Sequence, residues 1–351
     1  MIDLTTRYMG LELKNPLVVA SCGLTRTVRG VQKCAEAGAG AIVLKSLFEE
    51  QISAEVMELT NHARHTDHTE GFEYLQGYGE ALGPQDYLNL VREAKKAVSI
   101  PVIASINCVH NNSWAAYARK LAAAGADALE INIGFLPRMA QMTSAEVDER
   151  YEQILYTVRS QVDLPMALKV GPYISSFAHL ADRIGNDRMA GTPFTVGWCG
   201  PGATDREITW RGADALVLFN RFYSFDIDVD ALQLTGGSRY SASEENHLSL
   251  RWISLLSGRV KSDLAAATGI YAGRDVAKQL LAGATVVQLC STLYRNGLGQ
   301  IGQILEQLQE WMQTHDFVRL DDFRGRLSQS RSEYPEHFER IQYIKALVGI
   351  E

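Results

Sequence analysis

The sequence predicts a (β/α)8 barrel, because eight short apolar runs recur along its 351 residues, six of them follow a helix-stopping signal, and amphipathic stretches lie between them. The runs cover residues 17–21, 41–45, 102–107, 129–132, 166–169, 216–220, 264–268 and 286–290. Each is about five residues long without polar alternation, the pattern of strands buried on both faces in a parallel sheet. Four are announced by Ala37-Gly38-Ala39, Ala124-Gly125-Ala126, Arg211-Gly212-Ala213 and Ala282-Gly283-Ala284, where Gly accepts the left-handed conformation that ends a helix. Two more follow Ile100-Pro101 and Leu164-Pro165, where Pro blocks helix continuation and presets an extended backbone. Residues 114–124, 146–162 and 275–282 carry apolar side chains at helical spacing and read as intervening helices. A doubly wound open sheet is the competing arrangement of so many parallel strands.

Length and composition bound the rest. A closed barrel routinely uses 250 or more residues as one unit, so residues 1–327 are assigned to a single barrel domain and 328–351 to a C-terminal helical extension. With 46% hydrophobic and 21% charged residues, the chain has enough apolar material for a large core. A formal charge of -7 offers no general attraction for nucleic acid or an anionic membrane. The five cysteines, Cys22, Cys34, Cys108, Cys199 and Cys290, form no CxxC pair, so neither a metal nor an iron-sulfur cluster is expected, and reduced thiols in a cytoplasm are. Residues 1–10 contain no apolar stretch of signal-peptide length, and no membrane partner is expected.

Seven of the eight runs end in Ser, Thr, Asn or Lys, and the last runs from Cys290 into Ser291 and Thr292. In this fold the active site lies at the carboxyl ends of the strands, so Ser21, Lys45, Asn107, Asn132, Lys169, Asn220, Thr268 and Ser291 are expected to converge on one mouth. The turns after the last two strands, Thr268 to Asp275 and Cys290 to Thr292, supply hydroxyls, backbone N–H groups and two glycines, Gly269 and Gly273, a combination suited to a phosphate. Lys45 and Lys169 follow Leu44 and Leu168, so each ammonium needs a bound anion or polar ring to offset desolvation. A reduced isoalloxazine is such a ring. The competing role for Lys169 is that of a Schiff-base nucleophile in an aldolase-like lyase.

Several of these segments together resemble the dihydroorotate dehydrogenase family. They are Asn15-Pro16-Leu17-Val18-Val19-Ala20-Ser21, Gly40-Ala41-Ile42-Val43-Leu44-Lys45-Ser46, Leu129-Glu130-Ile131-Asn132, Leu168-Lys169-Val170-Gly171-Pro172-Tyr173, the stretch from Thr268-Gly269-Ile270 through Gly283-Ala284-Thr285-Val286-Val287-Gln288, and the closing Asp321-Asp322-Phe323-Arg324-Gly325-Arg326-Leu327. The resemblance implies FMN as cofactor, with Ala20, Ser21, Lys45, Ser46, Asn132, Lys169 and Asn220 touching it and Thr268, Gly269, Cys290 and Ser291 around its phosphate. It also implies hydride transfer from a small polar substrate to the flavin, with Asn132 and Asn220 able to orient that substrate.

The departures from the family pattern lie on the substrate side. The family's catalytic base, a Cys or Ser three residues after the fourth-strand asparagine, falls at Phe135, and a further family asparagine falls at Pro137. A phenyl ring accepts no proton, so the catalytic base is unassigned. The family's substrate loop is replaced by residues 71–79, and its glycine pair is absent near Ser241. Loss of a positioned base costs roughly 10² to 10⁴ in rate. Tyr78, Tyr173, Ser175, Cys22, Cys108 and His110 are the available substitutes.

The remaining features have plainer readings. His62, His65 and His68 recur every three residues without a second ligand set and read as a solvated loop rather than a metal site. Residues 49–83 are long for a βα connection and suit a lid or an oligomer contact, and residues 172–212, with Gly197 to Gly202, suit an inserted hairpin. A helix is expected from about Pro335, with Phe338, Ile341, Ile344 and Leu347 on one face, packed on the barrel or in a dimer contact. The combined expectation is a cytoplasmic, homodimeric FMN oxidoreductase with a small-molecule substrate and room for an electron-transfer partner subunit. A flavin-binding protein without turnover is the alternative of a different class.

Overall fold

The computed structural model describes residues 2–49, 85–108, 111–186, 212–222 and 224–339. The expected histidine cluster, the 49–83 connection beyond Glu49, Tyr78, His110, Gly197 to Gly202, and Ile341, Ile344 and Leu347 lie outside the described residues.

The chain opens with an antiparallel hairpin, β1 (Thr6–Tyr8) and β2 (Leu11–Leu13), joined through the left-handed pair Met9 and Gly10. Eight parallel strands then close a barrel: β3 (Leu17–Val19), β4 (Ala41–Val43), β6 (Val102–Asn107), β7 (Ala128–Asn132), β8 (Met166–Val170), β9 (Ala215–Leu218), β12 (Asp263–Ala267) and β13 (Val286–Leu289). Closure comes from β13 pairing with β3, Val287 opposite Leu17, and from β4 pairing with both β3 and β6. Each strand lies within two residues of a run read from the sequence, and the doubly wound alternative is excluded by that closure.

Strand β5 (Leu47–Phe48) continues β4 along the same neighbour after an interruption. Val43 opposes Ile103 and Leu47 opposes Ile106, so the chain spends one more residue than its partner between those points. This is a bulge, which re-aims side chains locally. It holds Lys45 and Ser46.

Helices alternate with the strands: α1 (Val28–Glu36), α2 (Gln85–Ala97), α3 (Asn111–Ala123), α4 (Ser144–Arg159), α5 (Phe177–Gly185), α6 (Asn246–Leu256), α7 (Gly273–Ala282), α8 (Ser291–Asn296), α9 (Gln300–Thr314) and the short α10 (Glu336–Glu339). α4 begins with a reciprocal cap, in which Thr143 Oγ1 accepts from Glu146 N at 3.3 Å and Glu146 Oε2 accepts from Thr143 N at 2.6 Å. Of the four punctuating glycines, Gly38, Gly125 and Gly283 have positive φ. Gly212 differs, because a Cβ there would lie 2.8 Å from the carbonyl oxygens of Ile184 and Asn186. It is required by close backbone approach rather than by handedness.

The main core lies between strands and helices and includes Leu17, Ile42, Leu129, Leu168, Leu216 and Leu289. A smaller cluster fills the barrel itself with Val18, Ala41, Val43, Ala128, Ala167, Ala215, Ala265 and Ala267, where small side chains fit the narrow interior. The N-terminal hairpin plugs the floor of that cluster through Tyr8, Met9 and Leu13, with Met9 N donating to Asp263 Oδ2 at 2.7 Å. The closing motif fastens the same end, since Arg324 Nη2 donates to Thr6 Oγ1 at 2.8 Å and Phe323 is fully buried.

Where the 172–212 stretch is described it carries α5, and the glycine-rich residues expected to form an inserted hairpin lie outside the described residues. A hairpin does follow the sixth barrel strand, as β10 (Phe225–Asp228) and β11 (Gln233–Gly236). Strict alternation, Phe225-Asp226-Ile227-Asp228, gives it one apolar and one acidic or polar face. Among the described residues, no helix is long and apolar enough to cross a membrane.

Candidate active site

The carboxyl ends of the strands surround a cavity of about 230 Å³ lined by Ala20, Ser21, Lys169, Asn220, Thr268, Gly269, Cys290 and Ser291 among others. Eight of the eleven residues assigned to the cofactor from the sequence thus meet in one space. Ser46 lies beneath it, where its Oγ is 2.9 Å from Ser21 Oγ and 2.7 Å from Ser105 Oγ and its backbone N donates to Ser21 Oγ at 2.8 Å. Asn132 accepts a hydrogen bond from Asn220 Nδ2 at 2.9 Å and stands beside Lys169 in the β7–β8 register. Lys45 is partly buried with its Nζ 4.4 Å from the Phe48 ring centroid, and burial holds its pKa below the usual lysine value.

Period-two alternation decides which side chains enter the barrel. Glu130 lies two residues before Asn132, and Gln288 two before Cys290, so both point inward and meet Lys169 from opposite walls. Lys169 Nζ donates to Gln288 Oε1 at 2.9 Å, Gln288 Nε2 donates to Glu130 Oε2 at 2.6 Å, and Glu130 Oε1 lies 3.9 Å from Lys169 Nζ. Sequence reasoning overlooked Glu130 and Gln288 as partners. The available signal was a polar residue at alternate positions inside an otherwise apolar run.

The turn after β12 places Thr268 and Gly269 in consecutive left-handed conformations, at φ 76° and 74°. For a β-branched threonine this is strained, and such backbone persists where surrounding contacts over-determine it. Thr268 Oγ1 donates to Phe219 O at 3.3 Å, and Gly269 N donates to Ser241 Oγ at 3.2 Å. Ser241 also donates its own N–H to Ser291 Oγ at 3.0 Å, so this residue, where the glycine pair was missed, stitches the last two turns together. Arg239 and Arg221, the latter paired with Glu245 at 2.8 Å, belong to the same lining, and neither was singled out from the sequence. Hydroxyls, turn backbone and guanidinium groups form a donor set suited to a phosphate.

On the adjacent wall, the Cys22 and Cys290 thiols influence each other's titration. Donation from Cys290 holds the Cys22 thiol below its ordinary value, and the same contact together with burial pushes Cys290 well up. Phe135, at the position of the missing base, packs under the guanidinium of Arg150, which lies 4.4 Å from its ring centroid. It does not line the cavity. Tyr173 is exposed and packs at 5.3 Å against Phe222, Ser175 is exposed, and Cys108 is buried. Among the described residues no group of three His, Cys, Asp or Glu side chains could hold a metal ion.

No family model matches the chain. Curated relatives do match. One from Thermoplasma volcanium, named dihydroorotate dehydrogenase B (NAD(+)), catalytic subunit, is 22% identical over 93% of this chain and 98% of its own length. A protein of the same name from Methanosarcina acetivorans is 26% identical over 81% of this chain and 84% of its own. The chloroplastic dihydropyrimidine dehydrogenase (NADP(+)) of Arabidopsis thaliana is 21% identical over 92% of this chain and 76% of its own.

Closure of eight parallel strands beneath a polar, cation-lined mouth defines the class as a (β/α)8 barrel with its site at the strand tips. Near full-length similarity to several relatives of one name narrows it further. Over nearly its whole length the chain is similar to several curated proteins named dihydroorotate dehydrogenase B (NAD(+)), catalytic subunit.

Proposed function

We propose that the chain is an FMN-dependent oxidoreductase acting on CH–CH groups, moving two electrons between FMN and a small polar substrate, dihydroorotate or a related compound. One observation carries this reading: a single cavity joins Lys169 and Asn220 to Thr268, Gly269, Arg239 and Ser291. FMN needs both kinds of donor. The turns suit its phosphate dianion, and the amides and ammonium suit the polar edge of its ring. When bound, FMN supplies the electron chemistry, while the protein supplies orientation and electrostatics.

In this reading Lys169 holds positive charge against the ring edge, Lys45 adds a second amine across the mouth, and Asn132 with Asn220 orients substrate or ring amides. Ala20, Ser21 and Ser46 support the ring side, and Cys290 flanks the phosphate turn. Phe135 supplies no proton acceptor, so a dihydroorotate-like substrate must lose its proton to another group. Tyr173 and Ser175, exposed on the loop that follows β8, support a replacement from that side. The aldolase alternative finds less support, because Lys169 Nζ is already committed to Gln288 and sits beside Glu130.

A homodimer joined through the apolar face of the 225–236 hairpin belongs to the same proposal, as do a cytoplasmic location and an electron-transfer partner. The words "catalytic subunit" in the relatives' names support a partner. The test begins with the absorbance spectrum of purified protein and the mass of the cofactor released on denaturation. Anaerobic bleaching by dihydroorotate, then by other dihydropyrimidines, identifies the donor, and fumarate and nicotinamides are screened as acceptors. A colourless protein that takes up no FMN overturns the reading, and trapping of a carbonyl substrate on Lys169 by borohydride replaces it with lyase chemistry. Yellow protein that no donor reduces is the passive flavin binder.

A further inference from the structure

The floor of the barrel interior is apolar, with Val18, Ala41, Ala128, Ala167 and Ala215 among its side chains, yet Glu130 stands above it at 1% exposure. Burying a carboxylate is costly unless it is paired. Its Oε2 is met by Gln288, while Oε1 has no hydrogen-bond partner and faces Lys169 Nζ at 3.9 Å. Gln288 completes a relay by using its two amide ends in opposite senses, accepting from Lys169 and donating to Glu130. The three residues belong to β7, β8 and β13, so the relay crosses the barrel instead of running along one wall. A packing role alone would be met by Ala or Val, as in the layer beneath.

We propose that Glu130 is a positioning residue that sets the direction and net charge of the Lys169 ammonium, with Gln288 as the rigid bridge between them. Lys169 lines the cavity at 8% exposure, so the charge it presents upward is offset by the carboxylate below. Without Glu130, the ammonium acts on whatever occupies the cavity without that counter-charge. The flavin part of this inference rests on the proposed function, whereas the pairing itself does not.

Two measurements separate these parts. In cofactor-free protein, a double-mutant cycle of Glu130→Gln and Lys169→Met is read by denaturant unfolding. The expected result is a marked loss of stability in Glu130→Gln that is largely recovered in the double variant, because the lone buried ammonium is then gone. Independent, additive effects overturn the proposal. In FMN-loaded protein, Glu130→Gln raises the midpoint potential, since an uncompensated cation favours the more negative, reduced cofactor. A tenfold change in the ratio of affinities for reduced and oxidised FMN corresponds to about 30 mV for a two-electron couple. Glu130→Asp, which keeps the charge while altering packing, returns the potential towards the parent value. A lower melting temperature in Glu130→Gln with an unchanged potential leaves Glu130 as filler and overturns the proposal. Failure of even the parent protein to bind FMN rejects the flavin reading, and the cofactor-free cycle then decides the pairing by itself.

Discussion

Asn220 donates its side-chain amide to Asn132 across 2.9 Å, joining the tips of the sixth and fourth barrel strands over the fifth, which carries Lys169. Asn220 lines the cavity, and its amide is thereby tied to a residue 88 positions away in sequence. Each of the two asparagines retains polar atoms for a ligand.

Asn220→Ala removes that tie without opening the core. A lost hydrogen bond of about 1 kcal/mol corresponds to roughly fivefold weaker ligand binding. Fluorescence titration with FMN is expected to register that loss, while the melting temperature stays within about 2 °C of the parent. An affinity equal to the parent would remove Asn220 from the binding set.

Arg159 and Asp214 form a buried ion pair beneath the helices, in which Arg159 also donates to Leu164 O and Gly212 O at 3.0 Å and Asp214 accepts from Met166 N at 2.8 Å. Asp214→Asn leaves the guanidinium without its counter-charge and is expected to cost about 3 kcal/mol, with urea unfolding as the measurement. The cavity lining does not include either residue, so the bound-flavin spectrum should be unchanged.

The Cys22 thiol is held below its ordinary value chiefly by donation from Cys290. A depressed thiol becomes nucleophilic at lower pH, so alkylation of Cys22 by iodoacetamide should rise at a lower pH than that of a solvent-exposed thiol. Cys290→Ala removes the donor and moves the midpoint upward. Peptide mass spectrometry across a pH series measures both, and an unmoved midpoint would discard the sulfur contact as the cause.

The hairpin after the sixth strand exposes Phe225, Ile227, Val229, Leu232 and Leu234, with Leu232 at 87% and Leu234 at 71%. Ile227 directly opposes Leu234, so these side chains share one face. Leu234→Asp is expected to convert a dimer to monomer in sedimentation velocity while leaving the melting curve of the barrel little changed. A parent protein that sediments as monomer at every concentration would reject the dimer.

Much of the fold was legible because its signals are local. Gly283 shows the favourable side of that legibility: a left-handed residue ending a helix is a property of a few adjacent positions, and its N–H donates to the carbonyls of Gln279 and Leu280. Gly212 shows the other side, since its requirement comes from backbone at residues 184 and 186. The hairpin at 225–236 was not read from the sequence because its alternation covers only four residues in each strand. That Phe135 accepts no proton follows from its side chain alone, but its packing under Arg150 depends on a helix that begins nine residues later.

By itself the sequence determined the eight strands, their parallel burial and the polar character of their tips, because run length, periodicity and helix-stopping residues act over a few neighbours. Only the tertiary structure decided the bulge that carries Lys45 and Ser46, the Ser241 stitch between the last two turns, and the relay from Glu130 through Gln288 to Lys169. Glu130 and Gln288 are 158 residues apart, and they meet because closing the sheet brings opposite walls within hydrogen-bonding reach. No local pattern encodes which inward side chain will face which.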